Sequence, residues 1–345
     1  MLNFMRHKLG PMLAAIALLI SSAATHASPV YNGGPVMNGT NNVYFIWYGN
    51  WGSDTATSIL PTFIGNLSGS SYMNILSSYN GNGTTFSNNV NFGGSYYISS
   101  TQHSSIYSAF GTNLNGTDNT MYNIVNAALN AGAFSGYNTN NSIFDVLTYS
   151  NIGVSGFQTQ FCGWHSSSGW NSGSLGLQYG FIGDPTLNQG CNAPVQTASV
   201  NNNFGADAMA SVISHELFET VTDPTGQAWW DSISPPQQYP GDPFHTGGFE
   251  NGDMCNFNFG TTQTAQNNGN YNVTLKGNDY LLQQQWINQG GGTNYNGGTC
   301  ATGLALTPPP VPGGVPEPGS LPLVLIALAG MGGLFLKIRA KVLPS

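Results

Sequence analysis

The sequence predicts an α+β fold in which a mixed β-sheet packs with helices in one domain. Short segments rich in β-branched and aromatic residues, which are typical of strands, alternate with segments whose apolar residues recur at helical spacing. The body of the chain, residues 28–302, is long enough to bury a substantial core. Charged residues make up 6% of the chain and aromatic residues 12%, a composition that argues against intrinsic disorder.

The individual elements are predicted from these patterns in chain order. Strands are expected at residues 42–48, 88–99, 142–149, 157–165 and 176–182. Helices are expected at residues 55–67, 73–79, 104–110 and 118–131. Asp54 is positioned to cap the first helix. Residues 279–287 fit either a late strand or a short helix, and the dense Pro, Gly and Asp of residues 226–260 predict irregular loop.

The segment from Ser211 to Pro224 predicts a helix with one buried face. Its apolar residues recur at helical spacing, and Pro224 ends the helix because the residue before a proline is pushed out of the α region. Strands interleaved with helices, followed by a helix of this kind, favour a zincin-like version of the α+β fold.

This helix also carries a candidate metal site. His215 and Glu219 are four residues apart, so they share one face of the helix, and Glu216 lies beside them. The layout matches H-E-x-x-H, in which the two outer residues bind zinc and the Glu acts as general base. Here Glu219 occupies the second ligand position, and carboxylate oxygens also bind zinc. We therefore predict His215 and Glu219 as ligands and Glu216 as the catalytic base, with a purely structural helix as the alternative.

The charge pattern gives an independent reason to expect a cation. The chain has 6 Lys and Arg against 14 Asp and Glu, and between the two termini the sole basic residue is Lys276. Seven carboxylates crowd into residues 216–253, and a buried carboxylate needs a partner, a metal or a proton. The alternative is that most of these side chains face water. A body with one lysine cannot neutralise phosphates, so nucleic acid is excluded as a partner.

The third ligand and the identity of the metal are less constrained. Glu250 is the preferred third ligand and Asp253 the alternative. Zinc is the expected ion, but one imidazole with two carboxylates is a harder donor set than zinc usually has, so calcium and manganese stay open. His165 follows a predicted strand and is interpreted as a hydrogen-bonded wall residue rather than a ligand.

Other candidate residues have structural interpretations. His103 and His245 are expected at the surface, and Asp223 is expected to cap a turn. Trp229 and Trp230 are interpreted as core or loop anchors, although a sugar-binding face is the alternative.

Residues 1–27 have the pattern of a secretory signal peptide. Arg6 and Lys8 precede an apolar run and a small-residue region, and cleavage is expected after Ala27. Export implies an oxidising compartment and an extracellular body, so the four cysteines can form two disulfides. We expect Cys162–Cys191 and Cys255–Cys300, although four cysteines allow three pairings and the spacing does not decide among them.

The composition changes after the body. Residues 303–314 form a Pro- and Gly-rich linker, and residues 315–341 contain Val-Pro-Glu-Pro-Gly, an apolar segment at 321–336 and a basic end. This tail resembles the bacterial PEP-CTERM sorting signal. The resemblance implies a membrane exosortase as partner, a Gram-negative host that produces exopolysaccharide, and transient anchoring in the inner membrane through this segment before processing. An ordinary single-span anchor is the alternative.

The body also resembles the Exordium-like family, the phosphate-induced proteins. The similarity lies in five ordered blocks: residues 31–49, 161–165, 206–219, 250–255 and 280–300. The family's His-Glu-Leu-x-Glu falls on His215, Glu216 and Glu219, and its Glu-x-Gly-Asp-x-Cys falls on Glu250, Asp253 and Cys255. The chain departs from the family in its Asn- and Gly-rich loops and at Asp223, where plant members tend to have Asn. The resemblance implies an extracellular protein tied to growth responses and attaches no reaction to it.

Two classes of function follow from these observations. The first is a metal-dependent hydrolase, a peptidase above all, in which Glu216 activates water. The second is a non-catalytic surface or extracellular-matrix protein, in contact with exopolysaccharide, in which a metal is structural or absent.

Overall fold

The computed structural model describes residues 29–79, 86–170, 173–231, 249–288 and 298–306. The predicted leader at 1–27, the sorting signal at 315–341, most of the linker and His245 lie outside these residues. Within the described ranges, no helix combines the length and the apolar character that crossing a membrane requires.

Helices and strands are interleaved as far as α4, and short strands predominate after it. The α-helices are α1 (Ala56–Leu67), α2 (Ser104–Phe110), α3 (Asp118–Asn130) and α4 (Phe204–Thr222), and the 3₁₀ helices are Met73–Tyr79 and Asp253–Cys255. The strands are β1 (Val30–Tyr31), β2 (Gly39–Tyr48), β3 (Phe86–Ile98), β4 (Asn113–Leu114), β5 (Ser142–Thr148), β6 (Gly153–Val154), β7 (Gly163–Ser167), β8 (Gln178–Gly183), β9 (Trp229–Trp230), β10 (Gln263–Thr264), β11 (Asn270–Tyr271), β12 (Val273–Leu275), β13 (Asn278–Tyr280), β14 (Gln285–Asn288) and β15 (Gly298–Ala301).

The centre of the fold is a mixed five-stranded sheet with the order β3-β2-β5-β8-β7. The pairs β2–β3, β2–β5 and β5–β8 are parallel, whereas the edge strand β7 is antiparallel to β8. The smaller sheets are antiparallel hairpins or two-residue pairs, among them β1–β9 and β14–β15. The prediction of a mixed α+β fold is confirmed.

Alternating side chains of the sheet contact helices on both faces. On β2, Phe45 and Trp47 pack with residues of α1 and α4, while Ile46 and Tyr48 pack with residues of α3. Because parallel strands in such a sheet are covered on both sides, β5 and β8 are buried along their whole length. This packing places α4 over β7 and β8.

Several boundaries differ from those predicted. β7 starts at Gly163 rather than at Phe157, because residues 157–162 form a turn. In this turn Gln158 N–H donates to the Phe161 carbonyl at 2.9 Å, and Gln160 N–H donates to the Gly156 carbonyl at 2.8 Å. Residues 73–79 form a 3₁₀ helix, and the segment 279–287 contains parts of two short strands. Asp54 Oδ1 accepts from Ala56 N–H at 2.9 Å, as its predicted capping role requires.

Both predicted disulfides are present, Cys162–Cys191 and Cys255–Cys300. The first links the residue before β7 to a later loop. The second links the 3₁₀ helix at Asp253–Cys255 to β15. Each bridge therefore fixes a segment that adjoins the region where α4 and β7 meet.

Candidate metal centre

Helix α4 is fixed at both ends by side-chain hydrogen bonds. It begins earlier than predicted, at Phe204, where the Asn203 side chain accepts from Ala206 N–H at 2.9 Å. At its other end, Asp223 Oδ1 accepts from Gln227 N–H at 2.7 Å and Ala228 N–H at 2.6 Å. Asp223 therefore closes the turn after the helix, as the sequence predicts.

Glu219 of α4 lies between two histidines. Its Oε1 is 3.1 Å from His215 Nε2, one helical turn away, and its Oε2 is 3.8 Å from His165 Nε2 on β7. The side chain of Glu219 is 3% exposed, so both contacts lie in the interior. The structure thus brings together the pair predicted from the helix and the histidine predicted to be a wall residue.

Strand β7 lies close to α4 because it has a glycine, Gly163, two residues before His165. Gly163 lies on the same face, and a Cβ there would be 2.5 Å from Val212 Cγ1 and 3.1 Å from Glu216 Oε1. The backbone of β7 therefore contacts α4 directly, and the Glu216 carboxylate lies against it. His165 Nε2 is 3.1 Å from Glu250 Oε2.

The segment from Glu250 to Asp253 folds back across α4. The Asp253 N–H donates to Glu219 Oε1 at 3.0 Å, and Asp253 Oδ1 is 3.6 Å from His215 Nε2. Gly252 permits this approach, because a Cβ at that position would lie 2.7 Å from Glu219 Oε1 and 2.9 Å from the His215 ring. This fold-back is the arrangement that a ligand from the Glu250 block requires.

The predicted ligands fall into two triads that share Glu219. The inner triad is His165, Glu219 and Glu250, and the outer triad is His215, Glu219 and Asp253; within each, the candidate ligand atoms lie within 4.8 Å of one another. Glu250, the preferred third ligand, lies beside His165, and Asp253, the alternative, lies beside His215. The sequence feature that could have identified His165 is its membership of the block at residues 161–165.

Gln283 is a contributor that sequence reasoning missed. Its Oε1 accepts from Phe257 N–H at 3.0 Å, and its Nε2 donates to the Gly252 carbonyl at 2.8 Å and to His215 Nδ1 at 3.0 Å. Because the amide nitrogen faces Nδ1, a neutral His215 carries its proton on Nε2, directed at Glu219. Nothing in the local sequence around Gln283 indicates this contact.

Burial and mutual charge shift the pKa values of these groups. Burial alone would lower the pKa of His165, but Glu250 and Glu219 raise it to about 9. Burial would also lower the pKa of His215, and Glu219 holds it well above its usual value. Burial raises the pKa of Glu216 to about 8, against the opposing effect of His215. Without a cation, this cluster therefore holds protons that the isolated side chains would release.

No Lys or Arg side chain among the described residues neutralises the cluster. Lys276 is the one basic residue in the described ranges, and its Nζ donates to the Gly65 carbonyl at 2.7 Å, at the surface. Within the described residues, the partners of the carboxylates at α4 include histidines and a backbone donor.

The donor set and its spacing fit a divalent cation. Zinc bonds of about 2.0–2.2 Å imply separations of roughly 3.3–3.6 Å between tetrahedral ligand atoms. The separations at Glu219 and Asp253, from 3.1 to 3.8 Å, are close to this range. One adjustment is needed, because an ion on His215 Nε2 moves the ring proton to Nδ1. The Gln283 amide must then turn its oxygen to Nδ1 and release Phe257 N–H.

The contacts of the remaining candidates, His103 and Trp229, are those of residues with a structural role. His103 is exposed, stacks on Tyr96 and contacts the Tyr97 carbonyl through Nδ1. Trp229 is fully buried against Tyr31 and Tyr79, so it belongs to the core.

Comparisons with known proteins agree with the resemblance carried by the sequence blocks. The family model of the phosphate-induced protein 1 conserved region matches residues 30–291. Protein EXORDIUM-like 5 of Arabidopsis thaliana is 25% identical to the chain over 259 residues, which cover 68% of this chain and 64% of that protein. Protein EXORDIUM-like 3 of the same plant is 25% identical over 292 residues, which cover 74% of this chain and 79% of that protein. The chain thus spans less than two thirds of the length of EXORDIUM-like 5. No solved structure matches the chain.

Proposed function

The chain belongs to the phosphate-induced protein 1 family, also called Exordium-like, and from this premise we propose that it is an exported metal-dependent hydrolase. Its ligands are drawn from His215, Glu219, Glu250 and Asp253, and Glu216 is the catalytic base. The expected ion is zinc, with manganese and calcium as the other candidates. The substrate class is peptide, by analogy with zincins, whose helix carries the same His-Glu pair.

The observation that carries this proposal is the position of Glu219 between His165 and His215. A carboxylate shared by a buried and a half-buried imidazole, with further carboxylates on each side, is a donor set typical of metal sites. Around Glu219, two histidines lie beside the carboxylates of Glu250 and Asp253, and the ligand atoms of each triad lie within 4.8 Å of one another.

The chemistry assigns distinct roles to the chain's own residues. A bound divalent cation supplies Lewis acidity to water and to a carbonyl oxygen. Burial raises the pKa of Glu216 to about 8, and a cation beside it would favour the ionised form. In that form Glu216 would accept a proton from the attacking water and pass it to the leaving amine. Access is from the side of His215 and Asp253, whose side chains are 14% and 22% exposed.

The test is a peptidase screen of the purified protein with and without a chelator. We expect chelator-sensitive cleavage that Glu216→Gln abolishes while metal content is retained. His103→Ala is the matched control, because it changes a histidine far from α4 in the sequence and at the surface. The proposal is contradicted if the Glu216→Gln variant still cleaves peptide, or if the chelator leaves the cleavage rate unchanged.

The setting proposed for this activity is the cell surface or extracellular matrix of a Gram-negative bacterium. The leader at residues 1–27 supports export, and the Pro316-Glu-Pro318 motif with its apolar segment and basic end supports recognition by an exosortase. The protein would be anchored in the inner membrane until that tail is processed.

A second candidate function is non-catalytic binding of exopolysaccharide. A groove of about 750 Å³ is lined by glycines together with Tyr31, Asn32, Gln227 and Trp230. Aromatic faces next to amide side chains suit a sugar ring. Trp230→Ala should then weaken retention in an affinity gel containing the polysaccharide, whereas Trp51→Phe, a change in the core, should not. Equal retention of both variants and the wild type contradicts this second function.

A further inference from the structure

We infer that the cluster at α4 binds two divalent cations bridged by Glu219, an enclosed inner ion and a solvent-facing outer ion. The inner ion is held by His165, Glu219 and Glu250, and the outer ion by His215, Glu219 and Asp253. This inference deepens the proposed function, which needs one ion, and adds a second site with a different role.

The first argument is the way in which Glu219 divides its oxygens. Oε1 faces His215 Nε2 at 3.1 Å, and Oε2 faces His165 Nε2 at 3.8 Å. Each oxygen therefore has an imidazole of its own, as in a carboxylate that bridges two metals about 3.5–4 Å apart. A single ion would draw both imidazoles toward one point.

The second argument is that each triad has its own terminal carboxylate. Glu250 Oε2 lies 3.1 Å from His165 Nε2, and Asp253 Oδ1 lies 3.6 Å from His215 Nε2. Each half thus offers one imidazole nitrogen, one terminal carboxylate and one oxygen of the bridge. The Asp253–His215 separation of 3.6 Å and the Glu219–His165 separation of 3.8 Å are too long for hydrogen bonds but suit ligands of a common ion.

The third argument is burial. Glu219 and Glu250 are 2% and 1% exposed, and a buried carboxylate is costly without a hydrogen bond, a counter-charge or a proton. An ion in each triad would place a positive charge beside both of these carboxylates.

The two halves differ in access to solvent. The side chains of His165 and Glu250 are 2% and 1% exposed, whereas those of His215 and Asp253 are 14% and 22% exposed. Structural metal sites are closed, and catalytic sites keep an open position. We therefore assign a structural role to the inner ion and the exchangeable, catalytic role to the outer one.

The test is the metal stoichiometry of the intact exported protein. Native mass spectrometry after removal of metal and titration with Zn²⁺ alone should give two bound ions, of which one exchanges slowly with isotopically enriched zinc. Glu250→Gln, a change that keeps the shape of the side chain, should lose the slow ion and retain the fast one. Asp253→Asn should lose the fast ion and retain the slow one, and His103→Ala should keep both.

A readout on the unaltered protein does not depend on whether the variants fold. Loading with Mn²⁺ should give an electron paramagnetic resonance spectrum broadened by coupling between two neighbouring ions. One ion per chain with an uncoupled Mn²⁺ spectrum overturns the inference and leaves the proposed function intact. The absence of bound metal overturns both.

Discussion

Asp145 and His165 occupy one row across the central sheet, on either side of Gly180. Asp145 on β5 pairs with Gly180 on β8, and Gly180 pairs with His165 on β7. Both side chains are buried, and Asp145 Oδ1 is 3.1 Å from the position that a Cβ on Gly180 would take. A glycine between them lets a buried carboxylate lie on the same face as His165. Burial raises the pKa of Asp145 to about 7, and the nearby His165 acts against that rise.

Replacing Gly180 with Ala should destabilise the protein. The added Cβ would lie 2.9 Å from the Trp164 carbonyl oxygen and 3.1 Å from Asp145 Oδ1. The carbonyl oxygen belongs to the backbone of β7, so relieving this contact requires a shift of the strand. We expect a loss of about 1–3 kcal/mol in the free energy of unfolding, measured by urea denaturation. Gly65→Ala is the matched control, because that site in α1 has open space around a Cβ and gains about 0.5–1 kcal/mol from helix propensity. Equal stabilities for the two variants would contradict the packing described.

The metal-free protein should become less stable as the pH rises from 6.5 to 9. Glu250 and Glu219 outweigh burial and raise the pKa of His165 from 6.5 to about 9, and burial raises the pKa of Glu216 from 4.5 to about 8. In both cases the folded state holds the proton more tightly than the unfolded state. The free energy of unfolding therefore falls with increasing pH through this window, and a tenfold difference in proton affinity between the two states corresponds to about 1.4 kcal/mol.

Urea denaturation in the presence of a chelator, repeated across this pH range, measures the effect. Added Zn²⁺ should oppose the decline, because the ligands must lose their protons to bind metal. A midpoint that stays constant or rises with pH in the chelated protein would show that His165 and Glu216 do not hold their protons as the structure indicates.

The architecture of the body and the candidate helix could be predicted from sequence because each rests on local patterns. The aromatic segment of β2 and the i, i+4 pair of His215 and Glu219 need only the strand and helix periods. The role of His165 could not be derived in this way, since it depends on β7 being the edge strand that α4 covers. No local pattern indicates the role of Gln283, because the segment between β13 and β14 brings it to His215 on α4 only in the folded chain. Which third ligand belongs to which histidine likewise depends on the fold-back of residues 250–253.

Removing the Cys255–Cys300 disulfide should weaken metal binding. That bridge closes a separation of 45 residues and holds the 3₁₀ helix that begins at Asp253, so its loss should cost about 4 kcal/mol and loosen the outer triad. Removing Cys162–Cys191, which closes a separation of 29 residues, should lower the free energy of unfolding by a similar amount. Calorimetric titration with Zn²⁺ compares the paired Cys→Ser variants. A larger loss of affinity on removing the Cys162–Cys191 bridge would be the opposite of this expectation.

The mature protein should lack both of its ends. Cleavage after Ala27 and processing after Pro316-Glu-Pro318 should leave an exported body without the apolar segment at 321–336. Intact-mass spectrometry of protein isolated from the native host measures both termini. A native chain that ends at Ser345 rules out the sorting proposal and favours an ordinary membrane anchor.

The binding of a divalent cation at α4 is tested most directly by anomalous X-ray diffraction on crystals of protein purified without chelator. Data collected on either side of the zinc absorption edge, and of the manganese edge, identify the element and its position together. We expect an anomalous peak in contact with Glu219 and with at least one of His165 and His215. The same cluster without an anomalous peak, in protein whose elemental analysis finds no divalent metal, would contradict the account and leave α4 as a structural helix.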